Sequence, residues 1–538
     1  MKETNGRERE ERFDVAIIGG GLAGLCLALE LKREAGARRI AVLERAGPRF
    51  PEAAHKVGES SVEVSSHYMG RLGLEDLLAD EMPKFGLRFF FSAAGNRTVS
   101  ERPELGPSHF LSVPSFQIDR GHFETQLTER VRKAGIHWIG DARVREVALR
   151  GCDPDHALTV EEAGKSRRLA ARWVVDASGT RSVLKRKFQL AKRSRHGGNS
   201  AWFRVDKALR VEDWQAGGEW AQGFEAPRSI STNHLMGKGY WVWLIPLRKG
   251  RTSVGIVADE QLHPFEEMSR FDRARAWLGR HEPQLADALA DTEPLDFLAV
   301  RHYSREVQQC FSAERWCIVG DAAGFADPLY SPGNDFIAMG NGFAADLIAR
   351  DLAAEDITLR AEVFDRTLRS LLRTYLVIYH RQYALMGDPK VMSTKVVWDF
   401  VMYWGGLAQV FFANALTDLE KMGGVKPLLE RFGALNVRTQ ALFRDWAKAR
   451  EAKGVSPPPA GRFFDYSELS FLADLNRALL EPCDGDGLLG RLEENLALAG
   501  SLRGEILAEA QRDGVTAAAA GPAPSRPLLT ELFATMNP

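Results

Sequence analysis

Apolar residues in the first 45 positions change period twice. FDVAII at 13–18 is a continuous apolar run of strand length, it breaks into Gly19, Gly21 and Gly24, and an apolar helix then leads to a second strand ending at Glu44. Later segments repeat the theme. Residues 115–135 (SFQIDRGHFETQLTERVRKAG) carry Phe123, Leu127 and Val131 at helical spacing and end on Gly135, which predicts a capped amphipathic helix. WVVDAS at 173–178 reads as a buried strand entering a turn at Gly179. Two strand-like runs, 240–248 and 252–258, flank Lys249-Gly250 and predict antiparallel sheet in a separate, substrate-facing layer. The α/β pattern returns at 315–329, a strand passing into a small-residue turn, followed by an apolar helix over 334–353.

From 355 onward the periodicity is mainly helical, interrupted by a Pro-rich break at 457–459 and a low-complexity segment at 517–527. Aromatic residues throughout 375–412 read first as helix–helix packing. This predicts a charged tail (1–12), a discontinuous dinucleotide domain (13–80, 110–195 and 300–354), a substrate-facing sheet layer (81–109 and 196–299) and a helical C-terminal region (355–538).

Composition narrows the function classes. The 538 residues are 45% hydrophobic, enough for a substantial core, and 71 basic against 72 acidic residues leave no overall field to draw the chain to nucleic acid or anionic lipid. Five cysteines (Cys26, Cys152, Cys310, Cys317, Cys483), far apart and odd in number, argue against a disulfide framework or zinc site and suit a reducing cytoplasm. The opening MKETNGREREER is charged and lacks the apolar core of a secretory signal, and the apolar run at 405–416 is too short to span a bilayer. The twelve histidines include no HxH or HExxH pair, so no metal site is predicted, and there is no GxSxG elbow.

The chemistry enters with Gly19, Gly21 and Gly24 in GxGxxG spacing. The first glycine permits the tight turn, the second lets backbone approach a pyrophosphate, and the third lets helix pack on strand. Glu44, twenty residues beyond Gly24, can accept hydrogen bonds from a ribose 2′-OH and would repel a 2′-phosphate, so FAD or NAD suits the site better than NADP.

One GxGxxG together with Asp176-Ala-Ser-Gly179 and Gly320-Asp321 resembles the flavoprotein monooxygenases over roughly residues 13–350. That resemblance implies FAD, with Asp321 on its ribityl chain and Asp176 at the edge of its site. Trp241-Val-Trp243-Leu-Ile-Pro246 is similar to the WxWxIP pattern of flavin-dependent halogenases. In a strand the two indoles share one face and can wall a cavity. Lys84, in KFGLRFFF after the turn Gly58-Glu59-Ser60, resembles the halogenase lysine. The resemblance implies an α/β fold with a Rossmann-like, p-hydroxybenzoate hydroxylase-like FAD domain, an antiparallel-sheet substrate layer and a helical C-terminal region. It also implies an activity: reduced FAD, O2 and halide give hypohalous acid, which Lys84 holds beside an electron-rich carbon either as a hydrogen-bonding ammonium or as a haloamine.

Other positions follow from the same resemblance. Arg120 stands where the superfamily brings an arginine to the FAD phosphate or isoalloxazine side. Asp327-Pro-Leu-Tyr330-Ser331-Pro332-Gly333 precedes a helix whose positive end, at Gly333, faces the flavin. Two departures stand out. Pro332 has no N–H where the family supplies a donor for chloride, and Tyr330 replaces the glutamate of tryptophan halogenases. Phenol or pyrrole substrates, free or carrier-bound, are therefore expected over free indole. A single nucleotide fingerprint implies a separate flavin reductase. A halide-independent monooxygenase or dehydrogenase and a flavin-binding scaffold or redox sensor are the alternatives.

Overall fold

The strand Glu11–Ile18 is buried from Phe13 to Ile18 apart from Asp14, and the helix Leu22–Arg33 that follows is buried from Leu22 to Leu31. Elements this apolar on every side belong in the middle of a layered α/β structure. In the computed structural model, which describes residues 11–47, 49–51, 56–151, 155–215, 220, 222–456, 458–516 and 527–537, they do. Glu11–Ile18 lies between Lys165–Asp176 and Ile40–Leu43 in a parallel sheet that extends to Trp316–Ile318 on one side and His137–Ile139 on the other. Register aligns the carboxyl ends: Ile18 pairs with both Leu43 and Asp176, and Asp176 with Ile318. Loops leaving that edge are where open parallel sheets bind ligands. The predicted charged tail, Cys152 and the low-complexity segment lie largely or wholly outside the described residues, as does Pro457 of the Pro-rich break.

The predicted helix over 115–135 is realised as Arg120–Lys133. Asp119 caps it, and the preceding Phe116–Gln117 pairs as a short strand with Met82–Pro83. The helix predicted over 334–353 is Gly333–Leu352.

The second sheet contains Pro294–Val300, Gly198–Val205, Arg251–Asp259, Tyr240–Leu247, Thr232–Gly237, Leu87–Phe91, Glu104–Gly106 and Phe463–Asp465, in that order. It is mostly antiparallel, as expected, but Thr232–Gly237 runs parallel to Leu87–Phe91, and Phe463–Asp465 parallel to Glu104–Gly106. The last strand comes from the region expected to be mainly helical. Alternation divides this sheet between two cores. Tyr240, Val242 and Leu244 face the small core around the helix Phe271–His281. Trp241, Trp243, Met236 and Phe89 face the large core shared with the dinucleotide layer.

Beyond 355 the chain forms long helices, including Thr358–Tyr379, Pro389–Met402, Leu419–Ala452 and Gly485–Arg512, and the aromatics of 375–412 are mostly buried among them. A single π-helical turn, Tyr403–Leu407, interrupts this packing. Such turns expel side chains from the helical register and recur at functional sites. Among the described residues no helix is long and apolar enough to cross a membrane.

Candidate active site

The glycine motif, the 176 turn and the 320 turn converge at the carboxyl edge of the parallel sheet. Gly19 has φ +111°, and a Cβ there would strike the Ala177 carbonyl. A Cβ on Gly24 would strike the Gly19 carbonyl, and one on Gly320 would press on Ala23 at 2.9 Å. Gly21 instead faces open space, its nearest neighbour being Glu124 Oε2 at 4.0 Å, which leaves the first turn of Leu22–Arg33 free for close backbone approach. Glu44 accepts the Gly20 N–H (2.7 Å) and the Ala46 N–H (2.9 Å).

Asp176 is committed elsewhere. One of its oxygens accepts from the Ser178 amide and hydroxyl and the other from the Leu184 amide (2.6 Å), so this fully buried carboxylate shapes the turn. Asp321 is the acid that faces the site's cations. Burial raises its pKa, and Arg305, Arg120 and Lys185 oppose that rise. Lys185 Nζ and Arg305 Nε are buried without hydrogen-bond partners. Orphaned cationic donors beside a glycine-lined helix start fit a dinucleotide with anionic phosphates, so these residues fit FAD. Arg120 is fully engaged: it pairs with Glu124 and donates to the Val57 (2.8 Å) and Gly58 carbonyls. It thereby ties the Gly58 turn to the start of the helix Leu22–Arg33, since Glu124 also accepts the Leu22 N–H. Gly333 opens its helix directly beneath that turn, where Asn334 donates to the Gly58 carbonyl at 3.1 Å.

Lys84 is built in from three sides. Its amide donates to Ser115 O (2.9 Å), its Nζ donates to Ser61 O (2.7 Å), and Ser61 N in turn donates to Phe116 O (2.8 Å). Lys84 therefore hydrogen-bonds to Ser61, the residue that follows Gly58-Glu59-Ser60. The side chain is 4% exposed, and burial lowers its pKa to about 8 against the opposing pull of Glu63 and Asp335. It lines a cavity of about 140 Å³ together with Glu63, Pro83, Phe110, Val113 and Phe116. Phe110 is 41% exposed, packs on Phe85 and stands at the mouth.

Trp241 and Trp243 share a face, with ring centroids 5.8 Å apart, and both are buried. Gly255 lies opposite Trp243 because a Cβ there would occupy the indole's place. Neither tryptophan lines the Lys84 cavity. His234 stands between: it stacks on Phe89 (4.6 Å) and lies 5.4 Å from Trp241, and burial with the Lys84 charge pushes its pKa down to about 3. Trp241 Nε1 donates to Tyr383 (3.2 Å), and Tyr383 (2.7 Å), Tyr303 (2.5 Å) and His196 (2.6 Å) all converge on Asp327 Oδ2. This buried network anchors the tryptophan face to the loop that precedes Gly333.

Glu63, Asp335 and Tyr403 carried no sequence signal, whereas Glu59, Tyr330, Ser331 and Pro332 lie within motifs named above. Glu59 reaches the second sheet by accepting from Arg204 Nε (2.7 Å). Asp335, whose pKa burial raises to about 7, accepts from Ser65 N (2.9 Å) and from Tyr403 of the π-helical turn (2.7 Å). Glu63 opens the helix Glu63–Arg71 and accepts from Asn476 of the C-terminal region at 3.3 Å. Tyr330 and Ser331 take successive left-handed conformations (φ 67° and 59°), a strained pair immediately before Pro332. Pro332 is the N-cap of the helix Gly333–Leu352. Among the described residues no cluster of His, Cys, Asp or Glu is arranged to hold a metal ion.

Comparison with known proteins agrees with this geometry. Residues 12–334 match the family model described as FAD binding domain. The flavin-dependent halogenase chlA of Dictyostelium discoideum is 28% identical over 437 residues, covering 75% of this chain and 71% of that protein. A 1H-pyrrole-2-carbonyl-[peptidyl-carrier protein] chlorinase of Pseudomonas fluorescens is 25% identical over 349 residues, 60% of this chain and 72% of that one. Among solved structures, the halogenase PltM superposes with a TM-score of 0.65 at 17% identity, covering 92% of this chain and 96% of that chain.

Proposed function

From the chain's membership of the FAD-binding domain family, as an FAD-dependent halogenase or monooxygenase, we propose that it halogenates an electron-rich aromatic ring held in the Lys84 cavity. The ring is of phenol or pyrrole type, free or presented by a carrier protein. Bound FAD, reduced by a separate flavin reductase in the cytoplasm, supplies the oxidation of halide by O2 to hypohalous acid. The cysteines described, Cys26, Cys310, Cys317 and Cys483, are all free thiols, in keeping with a reducing compartment.

The observation that carries this reading is a lysine amine buried in the wall of a ring-sized cavity, hydrogen-bonded to the turn Gly58–Ser61. With a pKa near 8, that amine supplies at near-neutral pH both the ammonium that donates to the oxidant's oxygen and the neutral amine that takes up halogen. Burial of the amine limits its own contact with bulk water. Trp241 and Trp243 form the wall between sheet and dinucleotide layer, and their anchoring through Tyr383 and Asp327 keeps that wall shut. Lys84→Ala is expected to abolish halogen incorporation into an electron-rich probe while FAD still binds. Retained product would remove Lys84 from the mechanism.

A second reading, oxygenation or dehydrogenation without halide, is favoured by Pro332, which presents no N–H at the start of the helix Gly333–Leu352. Supplying reduced FAD, O2 and bromide with monochlorodimedone or a phenol separates the two. Protein-dependent halogen incorporation supports the first reading; consumption of the phenol without bromination supports the second.

A further inference from the structure

The Lys84 cavity contains one carboxylate, Glu63, which has no part in holding the oxidant. Glu63 is 8% exposed, lies among Pro83, Phe110, Val113 and Phe116, and shares the cavity with Lys84. Asn476 Nδ2 donates to Oε1 across 3.3 Å, and the Trp404 indole N–H and the residue's own amide lie near enough to favour the charged form, as does the Lys84 ammonium. The carboxylate that caps the helix Glu63–Arg71 is Asp335, on Ser65 N, so Glu63 is not needed for that task. A buried carboxylate that lines a cavity beside an amine is placed to take a proton from whatever ring the cavity holds.

We propose that Glu63 is the base that accepts the hydroxyl proton of the substrate, and that the substrate class is a small, single-ring phenol. The proposal rests on the halogenation reading above and names its substrate. Size agrees, since a cavity of about 150 Å³ accommodates a benzene ring. Chemistry selects phenol over pyrrole or indole, whose N–H protons are far too weakly acidic to pass to a carboxylate. Burial raises the Glu63 pKa and so makes it a stronger base than a solvated glutamate.

The steps balance. The phenol O–H proton moves to Glu63 as the ring carbon attacks halogen, the C–X bond forms, and the O–X bond of hypohalous acid breaks. The departing hydroxide takes a proton from the Lys84 ammonium and leaves as water. The neutral Lys84 amine removes the ring C–H proton, and the resulting phenolate recovers its proton from Glu63. Phenol and HOX become halophenol and water, with both side chains restored.

The charged and titratable groups facing Lys84 are Glu63, Asp335 and His234, so removing one carboxylate has a readout without turnover. In Glu63→Gln, the pH at which the Lys84 amine becomes reactive toward an acylating reagent, followed by mass spectrometry of its peptide, should move downward. An unmoved titration would overturn the proposal. In the FAD-loaded full chain with a flavin reductase and bromide, Glu63→Gln should lower bromination of a phenol by about 10²- to 10⁴-fold. Bromination of its methyl ether, which has no proton to give, should stay within about threefold of wild type. Equal losses on both substrates would refute a base role. If wild type brominates neither, the halogenation reading has failed instead, and the Lys84 titration still tests the pairing. Should Glu63→Gln not fold, Glu63→Asp keeps the charge and should show a smaller loss confined to the phenol.

Discussion

Replacing Lys84 with methionine should stabilise the protein at neutral pH while destroying its proposed activity. Methionine has nearly the same length and no charge, so the substitution removes the cost of keeping an ammonium dry. The amine's pKa falls from its ordinary 10.5 to about 8. At 1.36 kcal/mol per pKa unit the charged form is disfavoured in the fold by about 3 kcal/mol. Losing the hydrogen bond from Nζ to Ser61 O returns about 1 kcal/mol, so a net gain of about 2 kcal/mol is expected. The gain depends on pH in a defined direction. Below pH 8 the lysine is protonated folded and unfolded, and the penalty is present in full. Between 8 and 10.5 the unfolded chain binds more protons than the folded one, so wild-type stability rises relative to Lys84→Met; above 10.5 both states are neutral and the advantage is gone. Urea unfolding at pH 7, 9 and 10.5 measures this. A variant less stable than wild type at pH 7, or a difference constant across the three pH values, would refute the account of Lys84 as a desolvated cation.

Two further outcomes test the scaffold around the site. Gly19→Ala should lower FAD affinity more than 100-fold by equilibrium dialysis, because an L-residue at φ +111° is strained by about 1–2 kcal/mol and its methyl strikes the Ala177 carbonyl. Near-normal affinity would mean that the turn is not held as described. Tyr383→Phe should cost about 2–4 kcal/mol in urea unfolding, since it removes a donor to Asp327 and leaves the Trp241 N–H without an acceptor. Adding Trp241→Phe should then cost less than it does in wild type, because the orphaned N–H goes with it; strict additivity would show that the two side chains are not coupled.

The dinucleotide half was legible because its signals are local. The strand, three glycines, helix and Glu44 fall within some thirty residues, and each has a conformational reason to be where it is. The second sheet was legible in its hairpin, Tyr240–Leu247 with Arg251–Asp259, because alternation and Lys249-Gly250 announce it. Its remaining composition was not. Phe463–Asp465 is three residues long, and its pairing with Glu104–Gly106 joins segments more than 350 positions apart, so no window of sequence contains both partners. The same limit hid most of the cavity. Glu63 sits one turn past the Gly58 loop, Asp335 opens a helix near the end of the FAD domain, and Tyr403 and Asn476 come from the region read only as packed helix. Each is an unremarkable polar residue along the chain, and each becomes legible only through the buried hydrogen bonds that join it to distant segments.

That contrast explains why one motif was read correctly in pattern yet differs in place. Trp241 and Trp243 do share a face, as period two requires, but the face they share is the one packed on the dinucleotide layer, while the ring-sized cavity opens beside Lys84, with His234 between. Had the strand slipped by one residue, Tyr240, Val242 and Leu244 would face the flavin side and the indoles would meet the helix Phe271–His281. Gly255 opposes such a slip, since a Cβ there would strike the Trp243 ring, and Tyr383 opposes it by binding the Trp241 N–H. Register, rather than the presence of tryptophan as such, fixes a rigid wall at a set distance from the amine. The proposed chemistry depends on that separation: the oxidant must be made on one side of the wall and used on the other, beside Lys84 and Glu63, in a space no larger than the ring it modifies.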